Sequence, residues 1–495
     1  MKSDSTHTAK SAFNELGFQK SIERHLAEIR ALYSSDNIPW VVGYSGGKDS
    51  TAALQLVWLA ISSMESAQRN KPIYVITNDT LVENPIVVKW VTKSLLTLET
   101  AAESQGLPVK PVRLAPDISD SFWTNLIGRG YPAPRPMFRW CTHRLKINPS
   151  SVFVNNVVKS NGEAILVLGT RKAESATRAR TIDRHDQKSV REHLSPHNDL
   201  PNSYIYSPIK DWSNDDVWLF LMQVKNPWGI NNKDLLTMYQ GASADGECPL
   251  VLDTNTPSCG DSRFGCWVCT LVDKDKSMQA MIQNDQEKEW MLPLLELRNA
   301  LDIEDDKPLR DFRRLKGNVQ LHNGSPIHGP YTQKAREHWL RLLLKAQKWV
   351  RQNGPEDVRG IELITQEELH EIRRIWVVDK HEIEDLLPII YMDETGEPFP
   401  EQPLDDLQSF SGEELELLKD ICGDDFLHYE LIRELLDVER RYQVMSRRAG
   451  LYDALEQAFV RNYYDNVDDA VDRARRKQQD LLTIQKNIRI DGTPK

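Results

Sequence analysis

The chain has 495 residues, 40% hydrophobic and 27% charged, with a formal net charge of -11. That length exceeds one ordinary core and argues for roughly two to four domains, while the composition excludes a disordered or fibrous chain. The negative balance excludes an autonomous nucleic-acid binder working by bulk electrostatics, so any contact with nucleic acid is left to local patches or partners.

The N-terminus, MKSDSTHTAK, lacks the apolar core of a secretory signal, and six cysteines in so long a chain do not make a disulfide framework. A reducing cytoplasm is the expected setting. The longest mainly apolar stretch, residues 52–61, is roughly half a membrane span, so no transmembrane helix is expected.

In chain order, residues 38–42 form a short apolar, β-branched run that enters a glycine-rich turn and then a helical pattern over 50–63. Residues 72–77 repeat the order, with a polar turn and a helical pattern to about Ala102, and residues 164–169 begin it again. Alternating β and α elements predict an α/β fold with an open, mostly parallel twisted sheet, which binds ligands outside the carboxyl ends of its strands. After about Lys276 the texture turns to long helix-period segments, giving a first domain over 1–275 and a mainly α domain over 276–495. Thr365 with Glu368, and Ser411 with Glu414, have the spacing of capping boxes that open helices. Acidic residues dominate 379–425, whereas Arg440, Arg441, Arg447 and Arg448, then Arg473, Arg475, Arg476 and Lys477, form basic clusters. Solvated helix faces are the plainer reading of these clusters, and a docking surface for a partner or DNA is the sharper one.

The sequence Gly43-Tyr44-Ser45-Gly46-Gly47-Lys48-Asp49-Ser50 lies between strand and helix, where backbone N-H groups and the positive helix end favour an anion. Three residues separate Gly43 from Gly47, and Asp49 follows Lys48, so this is not a Walker A loop. Ser45, Gly46, Gly47, Asp49 and Ser50 match in type and spacing the SGGxDS signature of the PP-loop (ATP pyrophosphatase) family, which the chain resembles. The resemblance implies a loop that holds the pyrophosphate leaving when a substrate oxygen attacks the α-phosphate of ATP. In that reading Lys48, Ser45 and Ser50 neutralise and position phosphates, and Asp49 holds Mg²⁺ or orients the loop.

Asn78-Asp79-Thr80 with Glu83, residues 168–178, and Ser207-Pro208-Ile209-Lys210-Asp211-Trp212 resemble the sulfonucleotide-reductase branch of that family. Asn78 and Asp79 are candidates to read adenine or ribose, and Arg171, Lys172, Arg178 and Arg180 to clamp phosphates. The segment Trp140-Cys141-Thr142-His143-Arg144 and the later Cys266-Trp267-Val268-Cys269 are similar to the cysteine motifs of iron-sulfur sulfonucleotide reductases, with Trp140 where those enzymes carry a second cysteine. The metal ligands then expected are Cys141, Cys266, Cys269 and Cys259, or Cys248 in place of Cys259. They would hold a 4Fe-4S cluster, with structural Zn²⁺ and a dithiol redox pair as the alternatives. Cys422 is read as a buried apolar residue and His143 as structural.

No cysteine follows 422, so the terminal Glu-Cys-Gly nucleophile of the reductases is missing. Over its whole length the chain is similar to the DndC-type sulfurtransferases of bacterial DNA phosphorothioation. That resemblance implies ATP activation of a DNA phosphate before sulfur insertion, a cysteine desulfurase as sulfur donor, and partners of the DndD and DndE type. It would make Lys48 and Asp49 catalytic, with Cys248 a candidate persulfide carrier and Arg135, Arg139 and Arg144 within reach of a DNA phosphate. A sulfonucleotide reductase, a tRNA-thiolating enzyme and a nucleotide-gated subunit without catalysis stay open as alternatives.

Overall fold

The computed structural model describes residues 11–187, 191–242, 264–400, 412–443 and 445–488. Cys248, Cys259 and the Ser411 capping position lie outside the described residues. The chain divides into two compact units, one within Met1–Pro116 and Pro134–Asn299, the other within Asp117–Ala133 and Ala300–Lys495. The boundary read from sequence after residue 275 thus falls inside the first of these, and residues 117–133 belong with the second.

In the first unit α1 (Phe18–Ser34) leads into β1 (Trp40–Gly43), α2 (Lys48–Ser62), β2 (Ile73–Asn78), α3 (Pro85–Ser104) and β3 (Val109–Leu114). Then come α4 (Asn148–Asn161), β4 (Ala164–Val167), α5 (Ala176–Gln187), β5 (Ser195–Pro196), β6 (Ser203–Tyr206), α6 (Asn214–Gln223), α7 (Asn232–Gly241), α8 (Lys276–Asn284) and α9 (Leu292–Leu301). The sheet order is β3-β2-β1-β4-β6-β5, parallel throughout except for the β5–β6 pair. Trp40, Val41 and Val42 are fully buried, as expected of a central strand covered on both faces. The apolar stretch 52–61 belongs to α2, where eleven of fifteen residues are buried, so it is a core helix. No described helix is long and apolar enough to cross a membrane.

The strand order reverses between β1 and β4, which pair in register from Trp40 with Ile165 to Val42 with Val167. Connections leave the carboxyl ends of these two strands in opposite directions, and a crevice opens between them. The glycine-rich loop follows β1 and residues 168–171 follow β4, so both reach that crevice.

The second unit is mainly helical. It contains a short hairpin of β7 (Leu321–His322) and β8 (Ser325–Pro326), followed by α10 (Gln333–Asn353), α11 (Gln366–Arg374) and α12 (Leu386–Thr395). The chain continues through α13 (Gly412–Cys422), α14 (Phe426–Gln443), α15 (Leu451–Asn462) and α16 (Val467–Ile488). The Thr365 capping box is formed: its hydroxyl accepts from the Glu368 N-H at 3.2 Å and its own N-H reaches the Glu368 carboxylate at 3.0 Å. The excursion 117–133 is stitched into this unit by indole N-H donors, Trp123 to the Leu363 carbonyl at 2.7 Å and Trp376 to the Ile127 carbonyl at 2.9 Å.

Candidate active site

Gly46 adopts φ 74°, and a Cβ there would sit 2.6 Å from Val91 Cγ2, so the loop turns where only glycine fits easily. The Trp90 indole N-H donates to the Gly46 carbonyl at 3.0 Å and fixes the turn against α3. The Ser45 N-H donates to Ser50 Oγ at 3.2 Å, and the Ser50 hydroxyl donates to the Gly47 carbonyl at 3.0 Å. Lys48 Nζ lies 3.1 Å from Asp49 Oδ2 and 5.4 Å from the centre of the Tyr239 ring, whose hydroxyl accepts from the Lys48 N-H at 3.3 Å. Burial pushes the Tyr239 hydroxyl well above its usual value, so it remains protonated.

Asp49 Oδ1 accepts from Arg171 Nε at 2.6 Å, and Arg171 also donates to the Trp212 carbonyl at 3.3 Å. Arg171 is only 4% exposed. Its guanidinium therefore supports the Asp49 carboxylate from below, which departs from the phosphate clamp that the sequence suggested. Gly169 permits this packing, because a Cβ there would meet the Asp49 carbonyl oxygen at 2.7 Å.

A cleft of about 630 Å³ opens at the carboxyl ends of β1, β2 and β4. Of the residues expected at the nucleotide, Ser45, Asp49, Ser50, Asn78, Asp79 and Arg178 line it, whereas Gly46, Gly47, Lys48 and Arg171 are not among its lining residues. Asn78 Nδ2 donates to Ser150 Oγ at 2.8 Å, and Asp79 accepts from the Leu81 N-H at 2.9 Å while facing Arg113 at 3.7 Å. Arg178 is 3.5 Å from Glu174. Lys172 sits instead among Asp183, Asp186 and Asp211, and Arg180 is exposed. Arg113, Lys146 and Ser150 also line the cleft and carried no nucleotide signal in the sequence, since each reaches it only through tertiary folding.

Beside this cleft lie three of the cysteines. Residues 265–267 run against 82–84: the Trp267 N-H donates to the Val82 carbonyl at 2.9 Å and the Asn84 N-H to the Gly265 carbonyl at 3.2 Å. Cys266 Sγ comes within 3.3 Å of Thr80 Oγ1 and 3.7 Å of Glu83 Oε1, and Lys146 Nζ is 3.4 Å from the same Glu83 oxygen. Burial, with Glu83 adding, pushes the Cys266 thiol up to about 12. The Cys266 sulfur and Glu83 hold the Lys146 ammonium above its ordinary value. Burial also raises the Cys141 thiol, and Cys269 adds to the rise of both it and Cys266. Among the described residues no group of three or more His, Cys, Asp or Glu is already arranged to hold a metal ion.

Several expectations are revised. Cys422 ends α13 half-buried, because the last turn of that helix is not covered in the core. His143 is exposed. Arg135, Arg139 and Arg144 do not line the nucleotide cleft, which bears on the nucleotide and not on their expected contact with DNA. In the basic clusters Arg440 and Arg441 pair with Asp437, Arg448 with Glu439, Arg473 with Asp469 and Arg475 with Asp472, which favours the plainer reading of those positions.

Residues 39–229 match the family described as the phosphoadenosine phosphosulfate reductase domain. Residues 413–459, from α13 into α15, match one described as a small protein found in certain Dnd DNA modification systems. An uncharacterized protein of Methanocaldococcus jannaschii, MJ0066, is 26% identical over 200 residues, covering 40% of this chain and 35% of that protein. The chain thus spans about a third of that relative's length. Among solved structures, the U34-tRNA thiolase NcsA from Methanococcus maripaludis with its 4Fe-4S cluster shows 16% identity over 44% of this chain and 71% of its own, with a TM-score of 0.27, too low to support an argument. Residues 39–229 therefore form a PP-loop domain of the phosphoadenosine phosphosulfate reductase kind, in a chain that carries a Dnd-associated segment near its C-terminus.

Proposed function

We propose that the chain is the ATP-using sulfurtransferase of a DNA phosphorothioation system. A non-bridging oxygen of a DNA phosphodiester attacks the α-phosphorus of ATP, forming an O-P bond as the bond to the β-phosphate oxygen breaks and pyrophosphate leaves. The backbone N-H groups after β1, with Lys48, Ser45 and Ser50, stabilise the departing charge, and Asp49 faces the cleft where it would hold Mg²⁺. The oxygen now leaves as AMP. The outer sulfur of a persulfide, derived from a cysteine desulfurase and carried by a cysteine such as Cys248, attacks the DNA phosphorus and displaces it. A second thiol then cleaves the S-S bond and ends in a disulfide, which supplies the two electrons that leave sulfur as thiophosphate. A cellular thiol reductant resets that disulfide.

Glu83 carries this reading. It borders the nucleotide cleft while accepting from the Cys266 thiol and pairing with Lys146, so the thiol neighbourhood adjoins the place where the activated phosphate would lie. Thiolates from Cys141, Cys266 and Cys269, with Cys259 or Cys248 as a fourth, would suit a 4Fe-4S cluster or Zn²⁺ by donor chemistry. A bound cluster would supply electron transfer or hold sulfide there.

The test is pyrophosphate release from ATP by anaerobically purified protein with its partners and DNA, together with iron, sulfide and zinc analysis. Asp49→Ala is expected to lower release by roughly 10²-fold or more. Release that is unaffected by Asp49→Ala would sink the proposal. The reductase-type domain match favours a second reading, reduction of a sulfonucleotide, which sulfite release would identify.

A further inference from the structure

The second unit contains a cavity of about 310 Å³ that the nucleotide chemistry does not use. Seven ammonium or guanidinium groups line it against five carboxylates. Every one of those carboxylates is engaged by an arginine: Asp311 and Glu430 by Arg313 at 2.6 Å, Glu434 by Arg461 at 3.1 Å, Asp379 by Arg374 at 3.1 Å, and Glu382 by Arg336.

The cations are not all answered in return. Among the described residues, the Lys380 ammonium has no hydrogen-bond or ion-pair partner. The Arg314 side chain reaches only the His328 carbonyl at 3.2 Å, and that of Arg129 only the Ser119 carbonyl and Asn125 Oδ1. Arg336 and Arg433, 2% and 3% exposed, each keep a buried Nε-H with no acceptor. Such donors are costly to leave unmet, and an excess of positive charge in a partly desolvated cavity is costlier still. Burial, followed by the Arg336 guanidinium, pushes the Lys380 ammonium down to about 8 against the opposing pull of Glu382, Asp311 and Glu430.

One species answers both deficits: a compact anion with several acceptor oxygens spread over a tetrahedron, matched to guanidinium forks. The volume sits near the lower end of the range for ligand sites, which suits a phosphate or pyrophosphate group better than a whole nucleotide. We infer that this cavity binds a small phosphate-class oxyanion, with Lys380, Arg314 and Arg129, which have no carboxylate partner among the described residues, as its receptors. The source is either the free ion or the phosphate end of a larger ester.

The test is calorimetric titration of the full-length chain with inorganic phosphate, pyrophosphate and a deoxynucleoside 5′-monophosphate. It is run in a Lys48→Ala background, which silences the proposed nucleotide loop, so failure here is separate from failure of the adenylation reading. One saturable site per chain is expected, weakened at least 10-fold by Lys380→Gln and by Arg314→Gln, with circular dichroism unchanged. Arg129→Gln provides a third variant should either of those fail to fold. Binding by the free ions alone supports the free-ion source, and tighter binding by the monophosphate supports the ester. Binding that is absent for all three, abolished by physiological salt, or unchanged in the folded variants overturns the inference.

Discussion

Arg171 and Asp49 form a pair whose two halves play unequal parts. The carboxylate borders the cleft and is 23% exposed, while the guanidinium is buried at 4% and does not line the cleft. Replacing Arg171 by Met removes a charge-assisted hydrogen bond at 2.6 Å. Stability should fall by about 2 kcal/mol in urea unfolding, less than for a fully buried pair because water reaches Asp49. If Asp49 acts as proposed, pyrophosphate release should fall by roughly 10²-fold in the folded variant, since the carboxylate loses its orientation. A variant with normal release would show that the pair serves stability alone. The loop was legible in sequence because its glycines, serines and Asp49 are neighbours in the chain. The bond from Arg171 joins residues 122 positions apart, and nothing local to Arg171 distinguishes a clamp on phosphate from a prop under a carboxylate.

Local signals served equally well for some elements and failed for others. The box at the start of α11 needs only a hydroxyl and a carboxylate three residues apart, and both of its bonds form. Thr365→Ala should cost about 1 kcal/mol of stability, measured by urea unfolding, with the loss concentrated in amide protection at the start of α11. Unchanged protection there would mean that tertiary contacts alone hold the helix end. Strand β3 had no comparable signal. Its sequence is Val-Lys-Pro-Val-Arg-Leu, with Lys110 and Arg113 exposed, and it pairs only with β2 at the sheet edge, where proline and charge are tolerated. Central strands β1 and β4 were visible as unbroken apolar runs because both of their faces are covered.

At the scale of the whole molecule, the second unit depends on buried carboxylates. Burial works to raise Asp437, but the hydrogen bond from His381 and the guanidinium groups of Arg441 and Arg440 outweigh it and hold the carboxyl below its ordinary range. Glu384 is likewise depressed, with Arg433 and Tyr429 overcoming burial. Groups depressed in the folded state contribute fully above their unfolded values, near pH 4, and lose that contribution as pH falls through their native values. Unfolding free energy should therefore decline from about pH 5 downward. Asp437→Asn should lower stability at pH 7 by about 3 kcal/mol and flatten the acid limb in urea titrations across pH. An acid limb equally steep in that variant would assign it to other groups. The composition of this unit was not readable from sequence, because residues 117–133 look like an ordinary connection until their partners more than 200 positions away are known.

That displacement has a consequence during synthesis. Phe122, Trp123, Leu126 and Ile127 are fully buried in the finished protein. On the ribosome, however, they emerge well before Leu363 and Trp376, whose bonds retain them. At ordinary elongation rates the nascent chain carries this greasy loop without its shelter for roughly 10 to 50 s.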